Sequence, residues 1–326
     1  MTVSHLIKIF PSNIEFSGTE ESSILDSALA AGIHLEHSCK NGDCGVCEST
    51  LLVGEVTDSE GKAYGQGDKV LTCNCKPKSD LQLQAHYYPE LQGQVKRIVP
   101  CKVNSIELVS DDVMKLTLRL PPTAKMDFLP GQYVNLQYKG VTRSYSIANC
   151  NGIDGIELHI RNVVNGQMSS LLFSELQVNT LMRIEGPCGT FFIREGDRPI
   201  IFIAGGTGFA PVKAMVEHLV ENASSREIYI YWGMPLGKDF YSLLPQELDD
   251  KFERIHFVPV VSGNDPTWNG RKGFVHHAIL EDFDSLESFD IYACGSPVMI
   301  DASKKDFISK KMSVDNFYSD AFTASK

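Results

Sequence analysis

Positive charge is scarce in this chain: 30 Lys and Arg stand against 41 Asp and Glu, a net charge of −11. An acidic surface of that size excludes a nucleic-acid backbone as partner and favours solubility. Long apolar runs are missing too. No stretch approaches the roughly 20 residues of a membrane helix, and the opening MTVSHLIKIF lacks a basic region, an apolar core and a small-residue cleavage site. Neither membrane insertion nor export is expected. There is no repeat of solenoid period and no low-complexity tract. Paired cysteines are not suggested either. Nine cysteines, an odd number without an export signal, fit a reducing cytoplasmic compartment better than a disulfide framework.

What is present is ample core material, 43% hydrophobic residues, in 326 residues, more than one core usually holds. Three segments of different grammar follow one another, expected as domains over 1–90, 98–196 and 197–326. The first opens on a strand with Ile7 and Ile9 about Lys8 and a turn at Pro11-Ser12-Asn13. A helix follows, marked by Ile24, Leu25, Ala28 and Leu29 at helical spacing, with a Ser ahead as N-cap and Gly32 as stop. Tyr87-Tyr88-Pro89-Glu90-Leu91 reads as a linker. The second segment has short alternating runs broken by Gly, Pro and Asn, such as Met114 to Leu120 and Gly155 to Ile160, which predicts an antiparallel barrel. In the third, strands at Pro199 to Ala204, Glu227 to Tyr231, Ile255 to Val261 and Phe289 to Ala293 alternate with helical text, which predicts a parallel α/β sheet.

Five of the nine cysteines crowd the first segment. Cys39-x4-Cys44-x2-Cys47, with Cys73 26 positions after the third, has the spacing of a plant-type [2Fe-2S] ferredoxin. Four thiolates must converge from one wrapped loop, and Gly42 and Gly45, with Asn41 and Asp43, give that loop positive-φ freedom. Zinc sites favour paired C-x2-C knuckles, and only one such pair exists here. Cys73 and Cys75 compete for the fourth position. Val70-Leu71-Thr72-Cys73 followed by Lys76-Pro77-Lys78 resembles the closing segment of plant-type ferredoxins, which implies Cys73 as ligand and Cys75 just outside the ligand set.

Arg143-Ser144-Tyr145-Ser146 resembles the R-x-Y-S motif of the ferredoxin–NADP reductase superfamily. Gly131-Gln132-Tyr133 before it and Gly166-Gln167-Met168-Ser169 after it match that family's companion motifs. The resemblance implies FAD, with Arg143 on its phosphate, Tyr145 on the isoalloxazine, Ser146 near N5, and Gly166, Met168 and Ser169 at its pyrophosphate. Those residue types suit the tasks: a guanidinium takes a phosphate bidentately, a ring stacks, a hydroxyl bonds a nitrogen that gains a proton. His159 and Arg161 flank the intervening strand, as binding residues or as solvent-facing decoration. Gly186-Pro187-Cys188-Gly189-Thr190 reads as a structural turn.

Gly205-Gly206-Thr207-Gly208-Phe209-Ala210-Pro211 follows a buried strand and opens a helix, where bare glycines let a pyrophosphate reach backbone amides. Its G-G-T-G-x-x-P form is that of the same superfamily. Cys294-Gly295-Ser296-Pro297-Val298-Met299 resembles the family's C-G-x-P-x-M motif beside the nicotinamide, which implies a packing and orienting role for Cys294 near the hydride-transfer atoms. Phe317, Tyr318 and Phe322 in the tail either cover the flavin face or fill a groove. Near the second strand only Lys238 and Asp239 are available to read the nucleotide ribose; NADH is expected, with NADPH possible.

The domain order ferredoxin, flavin, nucleotide resembles the reductase components of bacterial oxygenases, so a β-grasp ferredoxin domain, a flavin barrel and an α/β nucleotide domain are implied. Leu120-Pro121-Pro122-Thr123-Ala124-Lys125, Tyr231-Trp232-Gly233-Met234-Pro235, Pro259-Val260-Val261-Ser262-Gly263, Gly273-Phe274-Val275-His276 and Phe317 to Phe322 are similar to the CDP-6-deoxy-Δ3,4-glucoseen reductases. These serve a pyridoxamine-phosphate sugar dehydrase in 3,6-dideoxyhexose synthesis for O-antigen. The short loop between Cys47 and Cys73 departs from the family pattern and bears on cluster exposure. A nicotinamide gives two electrons as hydride and a [2Fe-2S] cluster takes one, so a flavin able to release electrons singly must stand between them.

Overall fold

A computed structural model of the chain describes residues 3–150 and 155–322. Contacts divide it into two compact units, Met1–Val95 and Lys96–Lys326. Among the described residues no helix is long and apolar enough to cross a membrane.

In the first unit β1 (Ser4–Phe10) and β2 (Ile14–Thr19) form a hairpin, followed by α1 (Ile24–Ala30). Then come β3 (Glu48–Val53), β4 (Val56–Thr57), β5 (Ala63–Tyr64), β6 (Lys69–Leu71), β7 (Lys76–Pro77) and β8 (Leu81–Gln84). The main sheet runs β2-β1-β8-β3-β6, with β1 and β8 parallel. It clasps α1 in the β-grasp arrangement. Ile7 and Ile9 are fully buried while Leu6 is half exposed, the period-2 alternation of a one-sided sheet. Ser23 caps α1, its Oγ accepting from the Asp26 amide at 3.0 Å, and Ile24, Leu25 and Ala28 face the core.

The stretch read as a linker is built into this unit. Tyr87 bridges to Leu35, the Tyr88 amide donates to the His34 carbonyl at 3.0 Å, and Leu91 is fully buried. Pro89 and the two tyrosines gave a loop signal, but the aromatic rings are packing material that composition alone did not assign.

The second unit starts with an antiparallel sheet of β9 (Arg97–Leu108), β10 (Val113–Arg119), β11 (Tyr133–Tyr138), β12 (Val141–Ser146), β13 (Ile156–Arg161) and β14 (Leu181–Cys188), with α2 (Gln167–Glu175) inserted. Its order is β12-β11-β14-β9-β10-β13. The two edges meet through an Ile147–Leu158 bridge and the Ala148 amide on the Glu157 carbonyl at 2.8 Å, so the sheet curls nearly closed. Leu116, Leu118, Val134, Leu136, Leu158 and Ile184 fill it.

The remainder alternates β15 (Ile200–Gly205), α3 (Phe209–Glu221), β16 (Ile228–Met234), α4 (Leu244–Lys251), β17 (Ile255–Val261), β18 (Arg271–Lys272), α5 (Val275–Asp282), β19 (Asp290–Gly295), α6 (Pro297–Ile308) and β20 (Phe317–Ala321). Every pairing in this sheet, ordered β18-β17-β16-β15-β19-β20, is parallel. Its central strands are buried on both faces and therefore read as near-continuous apolar runs. The tail, which no apolar run announced, forms the edge strand β20 beside β19.

Candidate cofactor sites

The cysteine loop lies between α1 and β3. Pairing of Glu48 with Leu71 brings Cys47 beside the residues after β6, where the Thr72 amide donates to the Cys47 carbonyl at 3.2 Å. Cys47 and Cys73 then stand with their sulfurs 3.2 Å apart. Gly42 and Gly45 take φ of 84° and 70°, the left-handed turns the loop requires.

The four thiols fall into two hydrogen-bonded pairs. The Cys44 thiol, assisted by the Asn41, Cys44 and Asp43 amides, draws Cys39 down to about 5 against the opposing effect of burial; its partner Cys44 is raised. The Cys73 thiol likewise draws Cys47 down to about 7, and Cys73 is raised by the shared proton. Cys39 also acts electrostatically on both Cys47 and Cys73, and the Gly42 amide donates to Cys73. Four sulfurs sharing protons, with backbone amides aimed at them, form a donor set that fits two irons. Cys75 belongs elsewhere: it is 2% exposed, part of the apolar core, and burial pushes its thiol up to about 11.

In the second unit Arg143 and Tyr145 share one face of β12 and Ser146 takes the other, and α2 packs against that strand. The Arg143 guanidinium donates to the Thr142 carbonyl at 2.7 Å on the exposed side. Tyr145 is half-buried and its phenol raised by that burial, Arg143 opposing. Gln132, buried just before β11, ties that turn to the end of β14, accepting from the Leu129 amide and donating to the Gly189 carbonyl, each at 2.9 Å. At the start of α2, Gly166 is partly open and Met168 buried. The Ser169 hydroxyl lies inside the turn, 3.1 Å from the Val163 amide and 3.2 Å from the Gly166 carbonyl. It shapes the turn, and the first amides of α2 remain for an anion.

Ser146 is buried and donates toward Asp320 Oδ2 at 3.5 Å. Asp320 arrives there because β20 pairs in register with β19, setting Asp320 opposite Cys294, which in turn lies opposite Ala204. Cys294 is fully buried, and burial together with the Asp320 charge holds its thiol well above the usual range. It is a neutral packing group. Sequence reading missed Asp320: one acidic residue in an aromatic tail carries no signal until the register places it.

The glycine turn joins these residues. A Cβ on Gly208 would come within 2.2 Å of the Cys294 carbonyl, so only glycine allows this approach. Gly205 and Thr207 are partly exposed, and Gly206 lies under the Arg161 guanidinium, Nη1 being 3.2 Å from where its Cβ would be. Arg161 is itself held by Asp112 at 2.7 Å. Trp232, stacked on Phe209 at 4.1 Å, donates to the Gly206 carbonyl at 3.0 Å. Gly295 is buried and Pro297 partly so, while Ser296 is exposed and caps α6 through the Met299 amide at 3.3 Å. Phe322, 38% exposed, donates its amide to the Gly295 carbonyl at 2.8 Å.

Of the two strand residues weighed earlier, His159 is an interior group. It is buried between Tyr241, 3.0 Å from Nδ1, and Glu157, 3.0 Å from Nε2. Burial lowers its imidazole, opposed by Glu157. Although burial acts to raise Glu157, His159 and Lys213 bring it down to about 2. After β16, where the sequence suggested ribose reading, Asp239 accepts from the Leu236 amide at 3.0 Å and Lys238 pairs with Asp111 at 2.9 Å.

Residues 7–78 match the 2Fe-2S iron-sulfur cluster binding domain, 100–193 the oxidoreductase FAD-binding domain, and 202–305 the oxidoreductase NAD-binding domain. Protein RfbI of Salmonella typhimurium is 74% identical, covering 99% of this chain and 98% of that protein. The chain belongs to the ferredoxin–NADP reductase superfamily. This reductase, an oxidoreductase that uses a [2Fe-2S] cluster, FAD and NAD(P)H, is also 52% identical to the CDP-6-deoxy-L-threo-D-glycero-4-hexulose-3-dehydrase reductase of Yersinia pseudotuberculosis, over 98% of this chain and 99% of that one. Among solved structures, the Amycolatopsis cytochrome P450 reductase GcoB aligns with a TM-score of 0.79 and 26% identity, over 98% of this chain and 99% of that one.

Proposed function

We propose that this reductase draws electrons from NADH and delivers them to a pyridoxamine-phosphate sugar dehydrase, for C3 deoxygenation of CDP-4-dehydro-6-deoxyglucose in 3,6-dideoxyhexose synthesis. The observation that carries the reading is the 52% identity, end to end, with a chain named as a dehydrase reductase. That is twice the identity to the P450 reductase, although the fold is shared with both.

When bound, FAD takes a hydride from the nicotinamide and releases electrons one at a time, and the iron–sulfur cluster carries them singly. The residues' own parts follow from their positions. Cys39, Cys44, Cys47 and Cys73 hold the irons. Arg143 meets a phosphate, and the α2 amides at Gly166 to Ser169 complete an anion site. Tyr145 offers a ring face. The Ser146 hydroxyl holds a proton where the resemblance puts flavin N5, and Asp320, 3.5 Å away, accepts from it. Cys294 stays protonated in its buried setting and would pack behind the nicotinamide, excluding water. Gly205 to Gly208 seat the turn tightly against Met299, Arg161 and the Cys294 carbonyl at the end of β15, and a pyrophosphate would lie at the amides that open α3; Gly295, Ser296, Pro297 and Phe322 border the same end of β19. Lys238 pairs with Asp111, and Asp239 stands beside it as the neighbouring acid, a balance that favours NADH.

The test is to reduce the holoenzyme anaerobically with NADH and mix it with a sugar dehydrase or with an oxygenase component. Fast cluster reoxidation by the dehydrase is expected. Fast reoxidation by the oxygenase component but not by the dehydrase would overturn the assignment.

A further inference from the structure

Helices α5 and α6 pack against each other, and at their contact stand three metal-ligating side chains that none of the cofactor readings uses. Donor atoms of His276, His277 and Asp306 all lie within 4.8 Å of one another. His276 is 6% exposed, with Nε2 3.6 Å from Asp306 Oδ2 and with Nδ1 buried and without a hydrogen-bond partner. A ring so buried normally satisfies both nitrogens; here Nε2 faces Asp306 and the protein supplies no partner for Nδ1. The ring is also held in place: Phe274 lies nearly parallel to it at 5.8 Å and His277 packs edge-on at 4.2 Å.

We propose that His276, His277 and Asp306 bind a divalent transition ion of the zinc class and thereby clamp α5 to α6. Two imidazoles and a carboxylate, with water completing the tetrahedron, are a ligand set zinc accepts, whereas calcium and magnesium demand oxygen donors. Bonds of about 2.0–2.2 Å require the donors to draw together. His276 supplies the fixed anchor; His277 is exposed and Asp306 38% exposed at its side chain, so both have room to swing inward.

The position gives the clamp a consequence. Val275 at the start of α5 sits against Gly233 near the end of β16, and α6 opens directly after the Cys294-Gly295 turn. An ion at the contact ties the start of α5 to the last turn of α6.

Anaerobic calorimetry with zinc ion alone, on holoenzyme treated with a mild chelator and with iron counted before and after, tests this. One zinc per chain is expected, with iron unchanged and a higher melting temperature; magnesium should give no binding heat. His277→Ala and Asp306→Asn, both at accessible positions, should lose that equivalent while retaining iron and flavin. Zinc uptake only as iron is displaced, or full uptake by both variants, would overturn the proposal.

Discussion

Replacing Cys73 or Cys75 by serine, one at a time, discriminates sharply because the two thiols sit in opposite environments only two positions apart. To ligate iron at pH 7, Cys75 would have to surrender a proton that burial holds up to about 11. At about 1.4 kcal/mol per pH unit, that costs about 5 kcal/mol, and the side chain would also have to leave the core. Cys73 is raised for a different reason: it shares a proton with Cys47, 3.2 Å away, and an iron that displaces the shared proton satisfies both sulfurs. Cys73→Ser should therefore lose most of the iron and acid-labile sulfide and the visible cluster bands. FAD and NADH-driven ferricyanide reduction should persist, while one-electron transfer to a protein acceptor should collapse. Cys75→Ser should keep full iron. Its hydroxyl, placed in an apolar site, should cost roughly 1–3 kcal/mol. For a domain of this size that lowers the melting temperature by roughly 4–8 °C per kcal/mol. Iron content and thermal melts of the two purified variants settle the matter: full iron in Cys73→Ser with loss in Cys75→Ser would refute the ligand assignment and the geometry behind it.

Other outcomes follow from the second unit. Ser146→Ala should slow NADH-driven ferricyanide reduction roughly 10²-fold with FAD retained and little change in KM, the size expected when one well-placed donor is removed; an unchanged rate would remove Ser146 from the reaction. Gly208→Ala places a methyl 2.2 Å from the Cys294 carbonyl, and the overpacking should cost about 1–3 kcal/mol in thermal melts and weaken nucleotide use; a wild-type melt would contradict the close approach. His159 is kept below its ordinary 6.5, so as pH falls through that value the unfolded chain takes a proton the folded chain refuses, and stability declines. Melts between about pH 7.5 and 5.5 should fall less steeply in His159→Gln than in wild type, and equal slopes would refute the buried neutral imidazole. Finally, kcat/KM should favour NADH over NADPH by at least roughly tenfold, a difference of about 1.4 kcal/mol. Asp111→Ala, which frees Lys238, should narrow that gap; a wild-type preference for NADPH would count against the reading of the ribose site.

Much of this molecule is local, and local features are legible in a sequence. Cluster spacing, the R-x-Y-S strand and the glycine turn each lie within a few consecutive residues, because a wrapped loop, a strand face and a strand-to-helix turn are short-range geometries. The run Ile200 to Ala204 announced a buried strand for the same reason: both faces are covered, so every position is apolar. Where a property depends on residues far apart in the chain, sequence was silent or open. Cys73 and Cys75 have the same side chain, and only the β3–β6 pairing turns one toward Cys47 and the other into the core. Asp320 gained its place near Ser146, 174 positions away, from the register of an edge strand. His159 was ambiguous on a strand until Tyr241 and Glu157 enclosed it. Tyr87 to Leu91 read as a linker until their rings found partners. Composition and spacing thus determined which chemistry the chain can carry. Tertiary packing decided which of two chemically identical side chains faces Cys47, because burial, register and distance belong to the folded chain and to no single stretch of it.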